Sequence, residues 1–221
     1  MLSGLQAHPV PMETTQTNPT ASSTDLDPRP LFAISARTAT AVISWVTPDQ
    51  LDEPTPCAAF AVRDLLDHLV LVAPRIASLG RGTPDYSSDD GGTAGWTLTD
   101  MAAAFSTGIA DAEQAWADPE SLTRLLTLPW ATMPGADVLR MYLSELTVHT
   151  WDLARATGQR PEWDPAVVAE SLAFMKVALP PEIRGDADDA DVPFAPVIDT
   201  AADAPLIDQL VAWTGRHPDW S

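Results

Sequence analysis

Four stretches of this chain place apolar residues three and four positions apart, and none alternates with period two for long enough to demand a sheet. That pattern constrains the fold most, because each such segment must bury one helical face against the others. Leu31, Ile34, Ala41, Val42 and Trp45 share a face of a first helix ending before Pro48, with Thr38 as the stripe's one polar member. Leu65, Leu66, Leu69, Val72, Ala73 and Ile76 form the stripe of a second helix, Val62 to about Leu79, stopped by Gly80. Pro74 inside it should kink it or split its last turn. Thr97 or Thr99 caps a third helix running through Met101, Phe105, Ile109, Ala112 and Trp116 to about Ala117. A fourth runs from Gly135 to Gly158 with Leu139, Leu143, Leu146 and Leu153 on one face. Four long amphipathic helices with connections of unequal length imply an all-α four-helix bundle with at least one long crossover.

The segments outside those stripes set the organisation. Residues 1–27 are rich in Thr, Ser, Pro and Gln without hydrophobic period, and read as a disordered tail or the product of an early start codon. The bundle then occupies 28–160. Thr47–Thr55 is a polar, proline-containing connection, Arg81–Gly95 a long loop with four Gly and three Asp, and Leu125–Pro134 an irregular connection. Residues 161–221 read as a C-terminal helical extension packed on the bundle: a fifth helix from Pro165 to Leu179, a Pro- and Asp-rich segment from Pro180 to Pro196, and a last short helix from Pro205 to Thr214. Val192–Ile198 reads as a short extended piece.

Charge narrows the function classes. A formal net charge of −19 over 221 residues repels phosphate backbones and anionic membrane surfaces. No apolar run reaches the ~20 residues of a membrane helix, and the N-terminus lacks a basic stretch followed by an apolar core. The single cysteine, Cys57, excludes an internal disulfide. A cytoplasmic soluble protein is the simplest reading of these features.

Of the four histidines, His8, His68, His149 and His217, two sit inside helices among apolar residues. Glu145 precedes His149 by four, so both side chains project from one helix face. A carboxylate among apolar neighbours is costly unless paired or bound to a metal. Glu145 and His149 can thus be half of a metal site, with His68 as a third ligand from another helix. Two imidazoles and one carboxylate match catalytic zinc chemistry with an open fourth position, and also suit Ni(II) or Fe(II). The plain alternatives are a surface ion pair and histidines satisfied within a core. Asp64, four before His68, and Asp152, three after His149, are candidates to accept the second ring N–H of their neighbours, or are simply surface carboxylates. Arg155 is expected to pair with Asp152 or to stabilise its helix C-terminus. Cys57 reads as a small buried residue before helix two, and Trp96, Trp130 and Trp151 as core or pocket-lining aromatics.

Two segments carry a resemblance. PTPCAAFAVRDLLDHLV and LPWATMPGADVLRMYLSELTVHTWDLARATG resemble the DinB-like superfamily, and more closely single-domain relatives of the mycothiol-dependent maleylpyruvate isomerase metal-binding domain. PFAPVIDTAADAPLIDQLVAWTGRHPDW is similar to the C-terminal ending of those relatives. The resemblance implies a DinB-like bundle and a metal, often zinc or nickel, held by His68, Glu145 and His149. It also implies mycothiol or a similar low-molecular-weight thiol as cosubstrate, transferred to, or isomerising, a small electrophile. A homodimer is a further expectation, since relatives often pair through helices. Residues 160–221 leave room only for an appendage in place of the full isomerase's second domain, so maleylpyruvate isomerisation itself is not expected. The rival functions are a thiol-independent metal enzyme of specialised metabolism and a non-catalytic metal- or ligand-binding bundle.

Overall fold

The computed structural model describes residues 26–58, 60–85, 93–184 and 195–221. The tail expected over 1–27 therefore lies outside the described residues except for Leu26 and Asp27, as do much of the Arg81–Gly95 loop and of the Pro180–Pro196 segment. The long helices are α1 (Arg29–Ser44), α2 (Val62–Gly80), α3 (Leu98–Ala115) and α5 (Gly135–Ala156). The short α4 (Pro119–Thr123) and a two-stranded hairpin, β1 (Leu125–Thr127) and β2 (Thr132–Pro134), link α3 to α5. The C-terminal part carries α6 (Pro165–Ala178) and α7 (Leu206–Trp213).

The all-α expectation holds, and the four stripes meet in one core. α2 packs on α3 and α5, and α1 packs on α5 and α3. The chain-consecutive helices α1 and α2 therefore lie across a diagonal, which is why a long connection, residues 45–61, must cross one end of the bundle. Leu65, Leu66, Leu69, Ile76, Met101, Phe105, Leu139, Leu143 and Leu146 are fully buried at its centre. Gly108 on α3 lets α2 close in, since a Cβ there would meet the Ala73 Cβ at 2.8 Å.

Local details depart from the sequence reading in three places and decide between its two alternatives in a fourth. Trp45 is 75 % exposed and Ala41 is exposed too, because the buried face of α1 runs through Phe32, Ala36, Ala39 and Ile43 to Val46. α2 runs without interruption through Pro74, whose ring lies on the exposed face while the buried stripe on either side holds the helix together. Thr97, not Thr99, caps α3: its hydroxyl accepts from Asp100 N–H at 3.2 Å and Asp100 Oδ2 accepts from Thr97 N–H at 2.9 Å. Leu125–Pro134 is an antiparallel hairpin rather than irregular, with Leu126 paired to Met133. Three residues per strand are too few for a period-two pattern to register, although Leu126 and Leu128 are both buried.

α5 positions the site. One side of it faces the bundle core. The other meets a second apolar cluster, in which Val148 packs with Val168, Leu172 and Met175 of α6 and Leu210 of α7. A helix covered on two sides buries its polar residues too, so His149 and Asp152 are taken out of water although the sequence around them is mixed.

Candidate metal centre

His68 comes from α2 and Glu145 and His149 from neighbouring turns of α5, and the α2–α5 contact brings them to one point. His68 Nε2 and Glu145 Oε1 are 2.7 Å apart, and His149 Nε2 lies 3.4 Å from the same oxygen. The imidazole centroids are 4.9 Å apart at 73°. One ligand atom from each of the three residues lies within 4.8 Å of the others, a donor set of two nitrogens and one oxygen able to hold a divalent metal. His68 and Glu145 keep 26 % and 28 % of their side chains exposed, so the cluster opens to solvent on one side.

His149 is held from behind. Its Nδ1 donates to Asp152 Oδ2 at 3.0 Å, so the ring points Nε2 at Glu145. Asp152 is completely buried and also accepts from Arg216. Burial disfavours a charged imidazole at His149, but Glu145 and the Asp152 hydrogen bond outweigh it and push its pKa up to about 9. Burial likewise opposes ionisation of Glu145, yet His149 and His68 hold its carboxyl well below the usual range.

Phe60, from the segment leading into α2, stacks on His68 at 5.4 Å and meets His149 edge-on at 6.2 Å. The same residue lines an open depression of ≈ 470 Å³ with Asp52, Pro54, Thr55, Ala58 and Ala61. Cys57 Sγ lies within 4.8 Å of ligand atoms of His149 and Asp152 and is half-buried.

Several expectations change here. Asp64 does not serve His68: its carboxylate accepts from Ala61 N–H at 3.0 Å, completing the N-terminus of α2 on the exposed surface. Arg155 does not pair with Asp152 and stands in the last turn of α5, where its charge suits that helix end. It donates to the Pro218 and Trp220 carbonyls, tying down the last residues, and lies over the Trp151 ring. Trp96 and Trp130 are 42 % and 62 % exposed, whereas Trp151 is buried. His217 is exposed, and His8 lies outside the described residues. Arg216 and Phe60 escaped the sequence reading. For Phe60 no pattern signals its place. For Arg216 the Thr-Gly-Arg ending of α7 signals a turn but not the buried carboxylate 64 residues away.

The family profile described as "Mycothiol maleylpyruvate isomerase N-terminal domain" matches residues 32–154, more than half of the chain. The chain belongs to this family. All three residues of the cluster, and Asp152, fall inside the matched span, while Arg216 falls outside it. Two uncharacterized proteins of Mycobacterium tuberculosis, from strains CDC 1551 and H37Rv, are each 29 % identical over 176 residues, covering 80 % of this chain and 90 % of their own length. No solved structure matches the chain. Among the described residues no helix is long and apolar enough to cross a membrane.

Proposed function

We propose that His68, Glu145 and His149 hold one divalent transition metal, zinc first and nickel or iron(II) after it. The chain would use that metal to activate a low-molecular-weight thiol of the mycothiol type for transfer to, or isomerisation of, a small electrophile. The observation that carries this reading is the single carboxylate oxygen that both Nε2 atoms face at 2.7 and 3.4 Å. The donor set fits the metal, since two imidazoles and a carboxylate leave one position open. Membership of a family whose description names mycothiol and an isomerase supports the thiol.

A divalent cation in such a site lowers the pKa of a bound thiol or water and so supplies a nucleophile at neutral pH. The chain's own groups do the rest. The Asp152 carboxylate keeps the His149 proton on Nδ1 and the Nε2 lone pair toward the centre. Glu145 supplies the one formal negative charge among the three donors. The Phe60 ring shields both imidazoles on one side. Asp52 and Thr55 bring polar groups to the neighbouring depression, where the body of a hydroxyl-rich thiol has room. Cys57 groups with His149 and Asp152 rather than with His68 and Glu145.

The test is elemental analysis of wild type and His149→Ala, purified without an affinity tag, followed by thiol binding and turnover. About one equivalent of metal in wild type, lost in the variant, is the expected result for a three-ligand site. Turnover of electrophiles only in the presence of thiol is expected next. Absence of metal even after loading with zinc or nickel would remove the centre. Metal with thiol-independent turnover would remove the thiol.

A further inference from the structure

We propose that Arg216, near the C-terminus, is a positioning residue for His149, acting through Asp152. The turn that delivers it is specified locally. α7 ends at Trp213, Thr214 is its C-cap, and Gly215 takes φ +82°, a conformation that L side chains rarely adopt. A Cβ on Gly215 would also come within 2.7 Å of the Ala195 Cβ. Gly215 N–H donates to Ala212 O at 3.0 Å and Arg216 N–H to Val211 O at 2.9 Å, the paired bonds of a Schellman end. The chain thus reverses at Gly215, and Arg216 leaves the turn directed at α5 rather than at solvent. Its side chain is 8 % exposed, and its Nη1 donates to Thr214 O at 2.9 Å.

The grip on Asp152 is two-pronged. Arg216 Nε donates to Oδ1 at 3.3 Å and Nη2 to Oδ2 at 3.1 Å. Oδ2 is also the atom that accepts from His149 Nδ1. The planar fork of the guanidinium fixes the plane of the carboxylate, and the carboxylate fixes the ring. Without Arg216, a fully buried carboxylate would keep only the imidazole as a cationic partner, an arrangement that favours moving the carboxylate, the ring or both. The C-terminal segment is therefore part of the site, though no atom of it need touch a substrate.

Only the metal-affinity part of the test rests on the function proposed above. The first measurement uses metal-free, isotope-labelled protein. The hydrogen-bonded His149 Nδ1 proton should give a slowly exchanging, nitrogen-attached downfield resonance, absent in Asp152→Asn. Arg216→Gln should lose or broaden it, and Arg216→Lys, which keeps the charge without the fork, should fall between. The second measurement is zinc affinity by chelator competition, with the visible spectrum of the cobalt(II) form as a signature of coordination geometry. Arg216→Gln should weaken zinc roughly 10–100-fold, as loss of a partner behind a metal-ligating histidine does, and alter the cobalt spectrum, with partial rescue by lysine. Helicity and melting temperature of the metal-free proteins control for folding. If Arg216→Gln does not fold, the Arg216→Lys comparison decides: unchanged resonance and affinity would overturn the role. A folded Arg216→Gln with the wild-type resonance and zinc affinity within about twofold would overturn it as well. If wild type binds no metal but Arg216→Gln still loses the resonance, the metal reading falls and the positioning role stands.

Discussion

α5 carries two charged clusters barely two turns apart, and they are built on opposite principles. At its N-terminal half Arg140 spends every arm of its guanidinium: Nε on Glu170 at 2.7 Å, Nη1 on Asp137 at 3.1 Å and Nη2 on the Leu26 carbonyl at 2.7 Å. Arg140 is 4 % exposed and Glu170 9 %, so that pair is buried and fully partnered, with half-buried Asp137 at its edge, and it joins α5 to α6 and to Leu26 ahead of α1. At the C-terminal half two imidazoles crowd one oxygen of Glu145, and His68 and Glu145 stay about a quarter open to solvent while His149 is buried. Charges that are complementary and closed hold a fold together. Two bases facing one acid at an open edge are the arrangement proposed above to take a metal ion. The first cluster is therefore expected to matter more to the fold than to metal binding, and the second the reverse.

Three substitutions and one titration separate these roles. The largest effect is expected from Glu145→Gln: the metal-loaded form should be lost on dialysis, while in the metal-free protein His149 falls from about 9 toward its ordinary 6.5. Elemental analysis and a histidine NMR titration measure the two arms. Retained metal would move the centre elsewhere. Arg140→Met should act in reverse, destabilising the fold by about 3–5 kcal/mol by stranding buried Glu170, with metal stoichiometry intact. Adding Glu170→Leu should restore most of that loss in denaturant unfolding. If Arg140→Met instead abolished metal binding in a folded protein, the two clusters would be one unit.

The titration sharpens the contrast by sign. In the folded, metal-free chain His149 is raised to about 9. Its contribution is therefore complete below about pH 6.5, the unfolded value, and disappears as pH rises through 9. The loss is at most about 3 kcal/mol, and the same pairing must not be counted again for Glu145. Glu145, held low, adds stability above its unfolded value that vanishes as pH falls through the folded one. Metal-free protein should be most stable in mildly acidic solution. Metal requires neutral imidazole, so its affinity should climb with pH up to about 9, by no more than about tenfold per unit. Chemical unfolding across pH 6.5–9 should therefore show stability falling with pH for the metal-free form and nearly level for the metal-loaded form, where the gain in affinity offsets that fall. Parallel slopes would mean that His149 is not a ligand.

Much of this was legible in the sequence, for identifiable reasons. Helical stripes repeat every few residues, so the four long helices and the C-terminal pair could be placed to within a few positions. Glu145 and His149 share one helix face by spacing alone. What could not be read depends on contacts distant in sequence or on geometry at a helix end. Arg216 lies 64 residues from Asp152 and is delivered by a turn whose direction only packing decides. The Leu125–Thr127 and Thr132–Pro134 strands are too short to show a period. Trp45 and Ala41 fit a helical repeat in sequence, but packing buries the neighbouring face through Ala36, Ala39 and Ile43.

Asp64 gives the smallest effect and the sharpest lesson about spacing. It stands four before His68, the same offset that links Glu145 to His149, so on sequence the two pairs are equivalent. The structure makes them different, because Asp64 lies in the first turn of α2, where Ala61 N–H lacks a helical partner and the carboxylate supplies one at 3.0 Å. Its side chain is therefore drawn outward to the helix end, and its negative charge sits favourably at the positive pole of α2. Asp64→Ala should cost about 1 kcal/mol in chemical unfolding, the ordinary worth of such a cap, and leave zinc affinity and the cobalt(II) spectrum at wild-type values. A variant that kept its stability and lost metal would return Asp64 to the back of His68. Asp152, which faces a ring nitrogen at 3.0 Å instead of a helix terminus, should give the opposite result to Asp64 in the metal assay.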